Sequence, residues 1–157
     1  MRIRRATTAD LPSLLDLWAE YAEHHRRRDP VFALASGARR SWSAWMRKLL
    51  RSRKTRVAVA ELGGRLVGFC SAQVSVRPPV MRDRKYGAIV DFAVTRTARR
   101  KGVGRRLFAE CKRWFLHQGV RRIELRVVPR NAHATGFWRA MGFRPYVEVQ
   151  FLELSPR

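Results

Sequence analysis

A strand, a basic loop and a glycine-bearing helix start follow one another between Tyr86 and Leu107, and this order constrains the chain more than any other feature. Tyr86-Gly87-Ala88-Ile89-Val90-Asp91-Phe92-Ala93-Val94 reads as a strand and Thr95 to Lys101 as a loop. Gly102-Val103-Gly104-Arg105-Arg106-Leu107 then opens a helix. A helix start leaves about four backbone N–H groups without intrahelical partners, and the macrodipole adds a partial positive charge there. Gly102 and Gly104 put no Cβ between that backbone and a ligand. Arg99, Arg100, Lys101, Arg105 and Arg106 surround the turn with fixed cations. Such a site favours phosphate.

The rest of the chain supplies a sheet and helices around this stretch. Arg2 to Arg5 is a candidate edge strand, and Thr7, Thr8 and Asp10 offer caps for a helix with Pro12 in its first turn. Leu11, Leu14, Leu15, Trp18 and Ala22 recur at helical spacing as far as about His25, and Pro30 ends that path. A loop with an exposed Phe32 leads to a second helix with Trp42, Trp45, Met46, Leu49 and Leu50 on one face. Val57–Leu62 and Arg65–Val76 flank Gly63-Gly64 as a β-hairpin. Beyond the glycine helix, whose buried face is Val103, Leu107, Cys111 and Trp114, the period changes to two at Ile123, Leu125 and Val127. Ala134 to Met141 reads as a fourth helix, and Phe143 to Leu154 as one or two final strands broken at Pro145. This order predicts a mixed α/β sheet in one domain spanning residues 1–157, not a repeating βαβ fold.

No apolar run reaches 18 residues, and the N-terminus lacks the apolar stretch of a secretory leader, so a cytoplasmic protein without a membrane partner is expected. Cys70 and Cys111 fall inside elements as buried thiols, and no Cys/His spacing suggests a metal. His24, His25, His117 and His133 form no ligand set either. Lys and Arg number 34 against 12 Asp and Glu, a net charge of +22. Arginines spread so evenly read first as a solvated surface; an anionic surface partner is the second reading.

Two motifs then fall in a telling order. Arg99-Arg100-Lys101-Gly102-Val103-Gly104 matches the R/Q-x-x-G-x-G/A loop of the GNAT superfamily of N-acetyltransferases. Asn131-Ala132-His133-Ala134-Thr135-Gly136-Phe137-Trp138, with Gly142-Phe143, resembles that family's N-x-x-A-x-x-[FL]-[YW] helix and terminal G-F. The resemblance covers essentially the whole chain. It implies a mostly antiparallel sheet of six to seven strands, about four helices, and a splayed strand pair at the cofactor site. It further implies acetyl-CoA as acyl donor, with Phe92, Ala93 and Val94 pairing with the pantetheine arm and the backbone from Arg99 to Arg105, Val103 included, binding the pyrophosphate. Asn131 would bond the pantetheine amides, and Ala132 and Ala134 would let the fourth helix lie close to the cofactor. A homodimer is compatible with this reading.

Direct acetyl transfer needs a neutral amine, a polarised thioester carbonyl, and a proton for the departing thiolate. The backbone N–H groups near Phe92 to Val94 could polarise the carbonyl. Asp91, the sole carboxylate of its strand, would orient the acceptor amine or take its proton; the competing reading is a sheet-edge aspartate paired with an arginine. Glu124 is a weaker candidate, because alternation turns it toward solvent. Many family members carry tyrosine where Trp138 stands, and an indole N–H cannot serve as that acid. Trp138 would pack at the thioester end, and the proton would come from water, Tyr146 or Tyr86. Tyr21, Phe32 and Trp42 would shape the acceptor cleft or fill the core. The reading is an N-acetyltransferase acting on a primary amine of a small molecule, peptide or protein. The alternative is a basic module that associates with nucleic acid or senses acyl-CoA without turnover, although no nucleic-acid-binding motif supports it.

Overall fold

The computed structural model describes residues 1–154. Strand β1 (Arg2–Arg5) leads into helix α1 (Leu11–Arg26). A 3₁₀ turn at Thr8–Asp10 precedes the helix and is fixed by a capping box: Asp10 accepts from the Thr7 N–H at 2.7 Å, and Arg4 grips the same carboxylate with two bonds of 2.8 Å. The Arg4 guanidinium lowers Asp10 to a pKa of about 2. A single 3₁₀ turn at Pro30–Phe32 follows, built on Asp29 accepting from the Val31 N–H. Helix α2 (Ala38–Arg51) and the hairpin β2 (Thr55–Leu62) and β3 (Arg65–Val76) come next, as alternation and Gly63-Gly64 require. Strand β4 (Lys85–Val94), helix α3 (Val103–His117) and the three-residue strand β5 (Ile123–Leu125) complete the sheet.

The sheet order is β1-β2-β3-β4-β5. All pairings are antiparallel except β4 with β5, which run parallel. Helices α1 and α2 cover one face, where Leu14, Trp18, Trp42, Met46, Val57, Val59, Phe69 and Ala93 form the core. Trp18 stacks on Trp42 with ring centroids 5.0 Å apart, and Trp42 meets Phe69 edge-on at 6.1 Å. The opposite face carries α3. A Cβ placed on Gly68 would meet Leu107 at 3.2 Å, and one on Gly87 would meet the Phe115 ring at 2.5 Å. Leu107, Cys111 and Phe115 are fully buried on that side.

Residues 1–126 form one compact unit, and a second begins at Val127. The second contains helix α4 (Ala132–Ala140), capped by Asn131, whose side chain accepts from the Ala134 N–H at 3.2 Å. Trp138 is buried, with Phe137 and Phe143 edge-on to its ring at 4.8 and 5.2 Å.

The sheet corrects two expectations. It has five strands, not six or seven, and residues 143–154 form no strand among the described residues. Alternation states what a strand would bury, but a strand also needs an edge to supply its hydrogen bonds. Val147, Val149, Phe151, Leu152 and Leu154 accordingly stay exposed. The period-two run at Ile123, Leu125 and Val127 pairs only as far as Leu125.

Candidate active site

The register of β3 against β4 positions the one buried carboxylate among the described residues. Ala72 pairs with Ile89 and Ser71 with Asp91, so Val90 is an extra residue in a β-bulge. Ile89 therefore faces α3, whereas Asp91 faces α1 and α2 beside Ser71. Asp91 is 9 % exposed. Its backbone N–H donates to the Ser71 hydroxyl at 2.9 Å, and that hydroxyl donates to the Asp91 carboxylate at 3.3 Å.

Burial pushes Asp91 up to a pKa of about 6, against the opposing influence of Ser71 and the Trp42 indole N–H. The Trp42 N–H lies close enough to favour the charged form but makes no full hydrogen bond, and it is a buried donor without an acceptor. Tyr21, on α1, is raised to about 12 by burial and by the negative charge of Asp91. No lysine or arginine pairs with Asp91 among the described residues, in a chain that carries 34 of them. The arginine-paired reading of this residue is thereby excluded. Glu124 is the acid that arginines hold: Arg77 and Arg122 both bind it, and they outweigh burial to lower its pKa. It is part-buried in ion pairs, not turned freely to solvent.

Downstream of Asp91 the strand changes its surroundings. The β4·β5 ladder covers Gly87, Ala88 and Ile89 and ends there, while β4 runs on through Phe92 and Ala93 to Val94. The loop then reaches α3 through two left-handed residues. Arg100 has φ 63° and Gly102 has φ 77°. Only the second suits its residue type, so Arg100 holds a strained backbone in the middle of the expected phosphate loop. Nothing lies within 4 Å of where a Gly102 Cβ would sit. The first α3 bond runs from the Arg106 N–H to the Gly102 carbonyl at 3.1 Å, and among the described residues no side chain caps this helix start. The N–H groups of Val103, Gly104 and Arg105 belong to that uncapped turn. Arg99, Arg100, Lys101, Arg105 and Arg106 are all exposed around it. The Arg99 guanidinium folds back onto the Val94 carbonyl at 3.0 Å, tying the loop to the end of β4. A cleft of about 280 Å³, lined by Glu20, Glu23, His24, Arg27, Arg96 and Arg99, opens beside it. A second, of about 370 Å³, lies between α1 and the Gly64 turn, and neither is lined by Asp91.

The structure thus brings the Asp91–Val94 strand end and the Arg99–Arg105 loop together in one unit. Asn131, Ala134 and Trp138 occur together on α4 in the other. Tyr146 follows α4 in the strand-free segment and is 64 % exposed. Tyr86 lies under the Arg77 guanidinium, 4.3 Å from ring centroid to Cζ. Among the described residues no group of His, Cys, Asp and Glu could hold a metal ion. No helix of the structure is long and apolar enough to cross a membrane. Sequence reasoning missed Ser71 and the strain at Arg100. A lone hydroxyl inside the run Phe69-Cys70-Ser71-Ala72 was the available signal for the first; the second has none, because φ at a non-glycine residue is a tertiary outcome.

The family model of the acetyltransferase (GNAT) family matches residues 11–143. The uncharacterised N-acetyltransferase YhfO of Bacillus subtilis (strain 168) is 26% identical over 143 residues, 91% of this chain and 89% of that protein. The crystal structure of a tetramutant of the BH1408 protein from Bacillus halodurans superposes with a TM-score of 0.88 at 24% identity, over 98% of this chain and 100% of that one. The apo aminoglycoside antibiotic 6'-N-acetyltransferase AAC(6')-IG of Acinetobacter haemolyticus shares the fold at a TM-score of 0.78 and 18% identity, covering 100% of both chains. The loop motif of α3 and the Asn131 motif of α4 both lie inside the matched span. The chain belongs to the acetyltransferase (GNAT) family and is an N-acetyltransferase.

Proposed function

We propose that the chain transfers an acetyl group from acetyl-CoA directly to a primary amine, with Asp91 receiving the acceptor. The observation that carries this reading is a buried carboxylate with no resident cation, on the same strand that leads into an uncapped, cation-ringed helix start. A carboxylate kept from water and unpaired in a chain of net charge +22 is costly unless a ligand brings the counter-charge.

The phosphate loop fits the donor. The uncapped amides of Val103, Gly104 and Arg105, the open space at Gly102 and the cations Arg99, Arg100, Lys101 and Arg105 suit a pyrophosphate. Phe92, Ala93 and Val94 continue β4 past the end of its parallel ladder, which suits an extended amide-bearing arm. By the family resemblance Asn131 would bond the same arm, Ala134 would let its helix lie close to the cofactor, and Trp138 would pack at the thioester end. When bound, acetyl-CoA supplies the activated acetyl thioester.

The chain's own part begins with the amine. Asp91, with its pKa of about 6, is largely ionised at neutral pH and binds an ammonium. It then takes the proton that the amine must lose before attack, directly or through a water. Ser71 fixes the carboxylate by the two bonds described above. The proton for the departing thiolate comes from water or Tyr146.

A thiol-release assay with an amine and peptide panel tests the reading on wild type, Gly104→Glu and Asp91→Ala. A glutamate in the first turn of α3 opposes phosphate through charge and bulk, and should weaken acetyl-CoA binding by about 30-fold or more. Full acetyl-CoA affinity in that variant would remove the pyrophosphate from this loop. Full turnover of Asp91→Ala at every pH would remove Asp91 from the reaction.

A further inference from the structure

Three aromatic rings run outward from Asp91 along one side of α1. Tyr21 is close enough to feel the Asp91 charge. Its ring meets that of His25, one helical turn on, edge-on at 4.5 Å, and His25 meets Phe32 edge-on at 5.3 Å. The short turn Pro30–Phe32, held by the Asp29 side chain on the Val31 N–H, is what folds Phe32 back onto α1. Phe32 is 38 % exposed, and Val31 and Leu34 beside it are 76 % and 48 % exposed. These exposed apolar groups stand at the outer end of a row whose inner end is a buried carboxylate. Burial and the neighbouring Arg28 hold His25 below its ordinary pKa, so the row is uncharged at neutral pH.

Around the row Asp91 is the one carboxylate held away from water among the described residues. Glu23 is occupied by Arg26 and Arg27, and Asp16 by Arg39. Glu20 accepts from the Arg96 N–H and Asp29 from the Val31 N–H, and both are exposed, solvated carboxylates without an ion pair among the described residues. One buried carboxylate remains to bind one ammonium, and an apolar aromatic strip remains to bind whatever that ammonium carries.

We propose, resting on the amine-acetylation reading above, that the acceptor is a monoamine bearing an aromatic or compact apolar group. Its ammonium docks at Asp91 and its apolar group lies along Tyr21, His25 and Phe32. The buried indole N–H of Trp42, which has no acceptor, closes the inner end of the row beside the carboxylate. It offers a hydrogen bond to Asp91 if the carboxylate shifts on binding the ammonium.

The test compares initial rates of thiol release from acetyl-CoA with phenethylamine and tryptamine against propylamine, putrescine and kanamycin, on wild type and Phe32→Ala. Acetyl-CoA binding is measured by calorimetry and the unfolding midpoint recorded for both proteins. The aromatic amines should exceed propylamine in kcat/KM by about tenfold, through KM more than kcat, as one well-packed ring contact allows. Phe32→Ala, on an exposed turn, should keep its unfolding midpoint and lose most of that preference. Faster turnover of kanamycin or putrescine than of phenethylamine would overturn the aromatic acceptor while leaving amine acetylation intact. An undiminished preference in Phe32→Ala would do the same for the ring row. Binding of acetyl-CoA with no thiol release from any of the five amines would instead bring down the amine-acetylation reading, and this proposal with it.

Discussion

Ile89 and Asp91 lie two residues apart on one strand and face opposite sides of the sheet. In a regular strand such residues share a face. The bulge at Val90 breaks the alternation, so Ile89 packs under α3 while Asp91 enters the side covered by α1 and α2. Ala93, beyond the bulge, belongs to the α1/α2 core. The same point ends the parallel ladder with β5. One inserted residue therefore both aims the carboxylate and marks where the strand leaves its neighbour.

The position of Asp91 carries a stability cost. Its folded pKa of about 6 lies above the ordinary carboxyl value of 3.8, so folding favours the protonated form. The cost is absent below the unfolded pKa, grows as pH rises from there to the folded value, and is fully present above it. Asp91→Asn should therefore raise unfolding free energy by about 2–3 kcal/mol at pH 8, with the gain vanishing near pH 4. Turnover should fall by roughly a hundredfold or more. Chemical denaturation at both pH values, alongside the thiol-release assay, checks both halves.

Ser71 favours the charged form of Asp91 through its hydroxyl. Ser71→Ala should move the acidic limb of the kcat/KM profile upward from near 6. Acetyl-CoA affinity should stay constant, since Ser71 points with Asp91 to the sheet face opposite α3. A limb that stays in place would separate it from Asp91.

Arg100 combines a strained backbone with a charge that the proposed phosphate site would use. At φ 63° a non-glycine residue costs about 1–2 kcal/mol, so Arg100→Gly should gain about 1 kcal/mol of stability, less the added freedom of the unfolded chain. The same change removes a cation from the proposed phosphate loop. Acetyl-CoA affinity should fall severalfold, and its salt dependence should weaken. Thermal unfolding and calorimetry at two salt concentrations would show the two effects moving in opposite directions.

Close packing makes Gly87 intolerant of a single methyl. Its Cβ would meet the Phe115 ring at 2.5 Å, and Phe115 is fully buried with no room to withdraw. Gly87→Ala should destabilise the fold by about 1–3 kcal/mol. Asp91 lies four residues on, beyond the bulge, so the residual folded protein should keep its pH profile.

Much of the architecture is legible from one dimension. Helical spacing from Leu11 to Ala22 and on α2, alternation across the Gly63-Gly64 hairpin, and the order of β4, loop and α3 are local patterns, and each element formed where its pattern stands. The uncapped, cation-ringed helix start is legible for the same reason: glycines and cations lie consecutively in sequence. The final strand is not, because Phe143 to Leu154 alternates well enough but pairing depends on an edge that no local pattern specifies.

The chain's residue order by itself determined the helices, the hairpin, the basic helix start and the family motifs, all of which rest on neighbours within a turn or a strand. Only the tertiary structure decided which face Asp91 occupies, that Ser71 and Trp42 lie beside it there, and that Tyr21, His25 and Phe32 form one row of ring contacts. Those depend on a one-residue register shift between β3 and β4 and on the packing of two helices across them. Long-range packing selects that register by the face each side chain can bury, and no periodicity within β4 alone contains it.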